Sequence, residues 1–181
     1  MAVRADNLTV AVIDHARNVE RSIERLWCLR GTLHPVAAND VHWLLELVRP
    51  RLATANRRRR AELGLDDADT DRGVRVIAQS LEADGPLARA QIAERLRRSG
   101  IASEGKATIH LIWRAAIDGP VCYRPDEDGQ ETFVALEDWM RAQKRTTPPD
   151  PALELARRHL AAYGPLRARI SAAGQVFPAV M

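Results

Sequence analysis

Three basic side chains recur at helical spacing within one segment of the chain: Lys106, His110 and Arg114. Residues at positions i, i+4 and i+8 share one side of an α-helix. The apolar residues of the segment fall on the opposite side: Leu111, Ile112, Ala115 and Ala116. A helix that buries one side and holds basic groups outward can contact the phosphates and base edges of DNA. The pattern therefore predicts a recognition helix; the alternative is an ordinary solvated polar face.

A second basic feature is the run of four arginines from Arg57 to Arg60. The planar guanidinium group of arginine suits bidentate pairing with phosphate oxygens. Four consecutive helical residues spread around the whole circumference, so at most two of them share a face. We interpret the run as a solvated helix neutralised by Glu62 and Asp66; the alternative is a phosphate contact through Arg57 and Arg58.

No catalytic or metal-binding motif accompanies these basic groups. His34 and His42 are eight residues apart, the other histidines are isolated, and no His-x-x-x-His or Cys–His cluster occurs. Gly-x-Ser-x-Gly and a phosphate-binding glycine loop are also absent from the sequence. Cys28 and Cys122 form no Cys-x-x-Cys pair, which predicts two buried thiols in a reducing compartment. We therefore predict no catalytic residue, no cofactor and no metal.

The bulk composition is that of an ordinary globular protein, with 46% hydrophobic and 28% charged residues among 181. A net charge of +3 is compatible with a polyanionic partner without requiring one. Two of the 27 basic residues are lysines, and either arginine-rich codon usage or phosphate recognition explains that bias. The sequence shows neither the apolar region of a signal peptide nor 18 uninterrupted apolar residues. A cytoplasmic protein without membrane contact is expected.

The elements that must position the basic groups are short helices and hairpins. Before residue 66 the apolar spacing and turn residues predict, in order, a helix in 6–18, a hairpin around Gly31, a helix from Asp40 that Pro50 interrupts, and a helix ending near Gly64. The acidic residues 65–71 are expected to form a connector between domains.

After this connector the order changes to three helices and a hairpin. The helices are expected near 74–81, 87–96 and 103–118, and the strands near 121–124 and 132–136. This order is typical of a winged helix-turn-helix domain. Arg124 at the base of the hairpin, the wing, can touch a DNA backbone. The wing tip, Asp126-Glu127-Asp128, would be repelled by phosphates and is not expected in the minor groove.

Several of these segments resemble a known family. Leu-Arg-Gly-Thr-Leu-His-Pro-Val at residues 29–36, followed by Asp40 and a leucine-rich helix, resembles the bacterial tandem winged-helix family that includes the AlkZ-like DNA glycosylases. The weaker matches, to the family's second and third winged helices, are Gly85-Pro86-Leu87, Ala93-Glu94-Arg95-Leu96, residues 114–119 and Tyr163-Gly164-Pro165. The resemblance implies stacked winged helices and, in some members, a concave cationic channel for damaged duplex DNA. Arg30, in the most specific segment, joins the candidate DNA contacts.

The sequence departs from the family at its catalytic motif. That motif, Gln-x-Gln or Gln-x-Asp, precedes the Arg-Gly-Thr-Leu-His segment, whereas residues 1–29 contain no glutamine and neither pattern occurs elsewhere. Relative to the family the chain looks shortened at both ends. We therefore expect a mainly α fold with small β-hairpins, a winged helix-turn-helix remnant of a tandem array. Its predicted parts are a partial winged-helix-like segment (1–66), a complete winged helix (67–140), and a linker with an incomplete winged helix (141–181).

These observations favour a winged-helix protein that binds double-stranded DNA and has no catalytic centre of its own. The first alternative is a protein related to DNA glycosylases that acts on alkylated or crosslinked DNA. The second is an interaction scaffold for a protein partner or a second copy of the chain, which the acidic wing tip and the shortened ends favour.

Overall fold

The structure, a computed structural model, describes residues 9–125 and 131–163 and two strands near the C-terminus. The chain divides into two compact units, residues 1–146 and 147–181. The elements of the first unit are α1 (Val10–Asn18), β1 (Ile23–Cys28), β2 (Thr32–Ala37), α2 (Val41–Thr54), α3 (Arg57–Glu62), α4 (Asp67–Asp84), β3 (Leu87–Ala88), α5 (Arg89–Arg98), α6 (Ala107–Asp118), β4 (Val121–Pro125), β5 (Glu131–Ala135) and α7 (Leu136–Trp139). Those of the second are α8 (Pro151–Tyr163), β6 (Ala168–Ile170) and β7 (Val176–Pro178).

The predicted fold class, mainly α with small antiparallel hairpins, is confirmed. The segment from α4 to β5 forms the winged helix-turn-helix: α4, α5 and α6 pack on one another, and β3 joins the wing strands in the order β3-β5-β4. Apolar side chains at helical spacing meet in its core, because each helix buries one side. The fully buried ones include Ile77, Leu81, Ile92, Leu96 and Leu111.

The predicted hairpin around Gly31 is confirmed as β1 and β2, which pair in register from Ile23↔Ala37 to Cys28↔Thr32. A hydrogen bond of 2.9 Å from the Gly31 amide to the Cys28 carbonyl closes the turn. Gly31 has φ +78°, and a Cβ built there would lie 3.6 Å from the Trp113 ring of α6 and 3.7 Å from Leu52 of α2. The tip of the hairpin is therefore seated against both helices.

The prediction that Pro50 interrupts a helix is wrong, since α2 continues through it to Thr54. Proline lacks the amide that would bond the Glu46 carbonyl. Both residues are exposed, so water can hydrate that carbonyl. Apolar residues on either side of Pro50, Val48 and Leu52, are buried in the same core and hold the two halves in one helix.

The acidic stretch is helix rather than connector. The Asp66 side chain accepts a hydrogen bond of 2.6 Å from the Asp69 amide and caps α4. Asp67 and Asp69 lie in the first turn, where carboxylates stabilise the positive end of the helix dipole. Because α2 packs against α6, the segments on both sides of the stretch belong to the first unit. The domain limits at 66 and 140 stay predictions.

Other expectations are met in part. Both cysteines are buried, as predicted. The helix predicted after Ser103 begins at Ala107, with Lys106 just before its first turn. Within residues 141–181 the structure describes the helix α8. The wing tip (126–128), Gly164-Pro165 and most of the tail lie outside the described residues. Within the described chain, no helix is long and apolar enough to cross a membrane.

Candidate nucleic-acid interface

The three basic residues predicted on α6 do not share one exposed face. Lys106 is exposed and His110 is half-buried. Arg114 turns back on its own chain: its side chain is 18% exposed, pairs with Asp118 at 2.8 Å and donates to the Ala53 carbonyl at 2.8 Å. The expectation that Arg114 points outward is therefore wrong. The cause is tertiary, because the end of α2 lies against this side of α6.

The four arginines of α3 have two different roles. Arg60 is 2% exposed and donates to the carbonyls of Ala55 and Ala53, at 2.9 and 3.5 Å, where α2 ends. Arg60 and Arg114 thus share the Ala53 carbonyl and join α3, α2 and α6. Cations are favourable here because helix C-termini carry partial negative charge.

The other three arginines of the run are exposed and ion-paired. Arg57 pairs with Asp67, while Arg58 and Arg59 pair with Glu62. Neutralisation by Glu62 was predicted; the second carboxylate is Asp67 rather than Asp66. The two candidate contacts in the run, Arg57 and Arg58, remain accessible.

His110 lies among cations from both helices. Burial lowers the pKa of His110, and the nearby Arg59, Arg60 and Lys106 lower it further. The imidazole is therefore predominantly neutral at neutral pH. These cations come from α3 and from the residue just before α6, about 50 residues apart in sequence, and we refer to them together as a cationic region.

Arg30 extends this region at the hairpin tip. It is exposed and precedes Gly31, whose backbone lies close to Leu52 near the end of α2 and to Trp113 in the middle of α6. Thr32 and His34 follow on β2, with the threonine Oγ1 2.7 Å from the imidazole Nε2.

Arg51 is exposed near the end of α2, the helix end that Arg60 and Arg114 contact, and it was missed by sequence reasoning. The assumed break at Pro50 hid the continuity of α2. We call the exposed groups the cationic surface: Arg30, Arg51, Arg57, Arg58 and Lys106. Its α2–α3 part is formed by the exposed Arg51, Arg57 and Arg58, whereas Arg60 of the same segment is buried.

The last predicted contact, Arg124, lies elsewhere. Its guanidinium is 5.6 Å from the centre of the Trp139 ring, over which Arg21 also stacks at 4.0 Å. Arg21 precedes β1, whereas the cationic surface lies at the far end of that strand, about 20 Å away over six residues. The structure therefore does not bring Arg124 to the cationic surface.

Sequence reasoning also missed a buried carboxyl beside Trp139. Glu24 is 3% exposed and accepts hydrogen bonds from Trp139 Nε1 at 2.9 Å and the Arg25 amide at 3.0 Å. Burial raises the pKa of Glu24 to about 7. Its place two and four residues before Leu26 and Cys28, on the same face of β1, was the available signal. We assign it a structural role because no solvent reaches it.

The two cysteines of the described chain are buried and their thiols are protonated. Burial raises the pKa of Cys28 to about 11, so its thiol is protonated at neutral pH and unreactive. Burial also raises the pKa of Cys122 well above its ordinary value. No group of three histidine, cysteine or acidic side chains in the described part of the chain is placed to hold a metal ion.

The segment from α4 to β5 is a winged helix-turn-helix, and the tip of the β1–β2 hairpin lies against α2 and α6 beside an arginine-rich surface. This architecture is that of a winged-helix protein. A family model described as DNA glycosylase AlkZ-like matches residues 1–173, and the chain belongs to this AlkZ-like family. No curated protein sequence matches the chain.

Among solved structures the chain is similar to the Streptomyces sahachiroi DNA glycosylase AlkZ, with 22% identity and a TM-score of 0.66. The match covers 86% of this chain and 43% of that one, so the chain spans less than half the length of this relative. At this identity the likeness shows the shared fold.

Proposed function

We propose that this chain binds duplex DNA through the cationic surface, as the DNA-binding part of a DNA-repair protein. The observation that carries the proposal is the meeting of α3, the end of α2, the start of α6 and the hairpin tip, which gathers basic groups from four parts of the sequence. Because the chain belongs to a DNA glycosylase family, we expect the polyanionic ligand of this surface to be damaged DNA.

The charge pattern of the surface supports phosphate binding. Among the described residues Arg30, Arg51 and Lys106 have no ion-pair partner, so their charges are available. Arg57 and Arg58 are paired, but exposed pairs contribute only about 0–1 kcal/mol. Exchanging a carboxylate for a DNA phosphate therefore costs little, and release of condensed counterions favours binding.

The proposal assigns DNA binding rather than base excision to this chain. Hydrolysis of a glycosidic bond needs a group that activates water, and neither Gln-x-Gln nor Gln-x-Asp occurs in the sequence. The family match over residues 1–173 favours a second candidate, a DNA glycosylase. Release of a modified base from alkylated duplex DNA would support that candidate over binding alone.

The test is a titration of plain and alkylated duplexes at several salt concentrations. Log affinity should fall linearly with log salt, and each lost phosphate contact reduces the slope by about 0.9. We expect the double variant Arg30→Ala/Arg51→Ala to bind more weakly, with a slope reduced by about 2. An unchanged slope would reject the cationic surface, and salt-independent binding of a protein partner would favour a scaffold.

The matched control is Arg141→Ala. Arg141 is an exposed arginine just after α7, paired with Asp138, and the nearby Gln143 bonds the Glu20 carbonyl before the start of β1. It therefore lies at the opposite end of the hairpin from Arg30. Its loss should leave the salt slope unchanged, which separates local contacts from a general effect of net charge.

A further inference from the structure

We propose that Leu29 is an apolar wedge that enters the base stack of the duplex held by the cationic surface. This inference rests on the proposed function and adds a role for the hairpin tip. The wedge would partly unstack one base step and bend the duplex, with Arg30 holding the adjacent phosphate.

The first supporting observation is the backbone of Leu29. Its φ of +52° lies in the left-handed region, and the residue is 37% exposed. An L residue other than glycine, asparagine or aspartate pays about 1 kcal/mol or more for this conformation. The covered part of Leu29 offsets some of that strain, and the exposed part still presents apolar surface to a ligand. Strained residues of this kind cluster at ligand-contacting sites.

The second observation is that the turn holding Leu29 is fixed. The bond from the Gly31 amide to the Cys28 carbonyl closes it, and the β1–β2 register continues to the last pair before it. A Cβ built on Gly31 would lie 3.6 Å from Trp113 and 3.7 Å from Leu52, both buried, so the backbone of the turn approaches both side chains closely. A wedge must not yield when it meets stacked bases, and a seated tip supplies that rigidity.

The third observation is the location. Isolated exposed apolar residues are normal, and the other large ones among the described residues are on α1, just after it, or on α8: Val10, Val12, Val19, Leu153 and Leu160. Leu29 differs because it adjoins Arg30 and the cationic surface. Proteins that deform DNA insert leucine and similar side chains between base steps while basic groups hold the backbone.

The wedge also fits the needs of the family's substrate class. An enzyme that acts on a base within a duplex must first take that base out of the stack, which costs a few kcal/mol. A leucine inserted at the opened step would offset part of this cost. The inference concerns the class of ligand, a duplex with a deformable step, and no particular sequence.

The experiment measures stacking directly. A duplex carrying 2-aminopurine, whose fluorescence rises several-fold when it is unstacked, is saturated with protein at low salt. We expect a rise with the wild-type chain and with Leu29→Phe, which keeps an apolar wedge. Leu29→Ala should leave the fluorescence near that of the free duplex at the same saturation. Leu153→Ala, which removes an exposed leucine of α8, is the matched control and should behave as wild type.

The outcomes separate the two proposals. Binding without a rise in wild-type fluorescence, or an equal rise with Leu29→Ala, would overturn the wedge and leave DNA binding intact. No binding of any duplex would overturn both. A rise lost in Leu29→Ala and kept in Leu29→Phe, with equal thermal unfolding of the two variants, would support the wedge.

Discussion

Replacing Arg60 by alanine tests whether Arg60 stabilises the fold, in contrast to Arg58 of the same run, which belongs to the cationic surface. Arg60 is 2% exposed, whereas the Arg58 side chain is 94% exposed. Both replacements remove one positive charge from the same helix, so Arg58→Ala is a close control. Any difference between them reports on burial and hydrogen bonding.

The magnitude follows from the contacts. The 2.9 Å bond from Arg60 to the Ala55 carbonyl is charge-assisted and contributes about 1.5–3 kcal/mol. The 3.5 Å bond to Ala53 adds little, and that carbonyl keeps Arg114. Two buried methylenes add about 1.6 kcal/mol. The Nε of Arg60 is buried and has no hydrogen-bond partner among the described residues. Removing this unsatisfied group recovers about 1–3 kcal/mol of the lost stability. The expected net loss is about 2 kcal/mol.

Chemical denaturation followed by circular dichroism measures this loss as a shift of the unfolding midpoint. Arg58→Ala should change the free energy of unfolding by less than about 0.5 kcal/mol. Arg60→Met keeps the apolar stem and should lie between the two. Equal stability of Arg60→Ala and Arg58→Ala would refute the reasoning, because it would mean that Arg60 does not fix the corner between α2 and α3.

Two further predictions concern Glu24 and the start and middle of α6. Burial raises the pKa of Glu24 from 4.5 to about 7, so the folded state binds the carboxyl proton more tightly than the unfolded state does. The stabilisation that comes from this tighter binding is present below about pH 4.5 and is lost as the pH rises through about 7. Between pH 4 and pH 8, Glu24→Gln should therefore gain up to about 3 kcal/mol of stability relative to wild type; a difference that does not vary with pH would contradict this. Lys106→Ala should weaken duplex binding without changing stability, whereas Arg114→Ala should lower the free energy of unfolding by about 1–2 kcal/mol, since it breaks a half-buried ion pair and a hydrogen bond. Equal unfolding midpoints for these two variants would show that Arg114 is not a structural residue.

Local patterns in the sequence predicted the elements wherever one side of an element is apolar. The spacing of Ile77 and Leu81, and of Ile92 and Leu96, gave the helices of the winged helix because that spacing decides which side can be buried. The segment from Arg30 to His34 gave both the hairpin and the family. Local rules failed at Pro50 and at the acidic stretch, where packing of Leu52 and capping by Asp66 outweighed the expected breaks.

What the sequence by itself determined is therefore the class of fold, the family and the excess of basic groups between residues 49 and 63. Only the tertiary structure decided which of those groups face solvent. Periodicity separates the polar side of a helix from its apolar side, but it does not show which distant segment covers the polar side. Here the end of α2 covers part of α6 and holds Arg114 and Arg60 at one carbonyl, while Arg30, Arg51 and Lys106 are exposed.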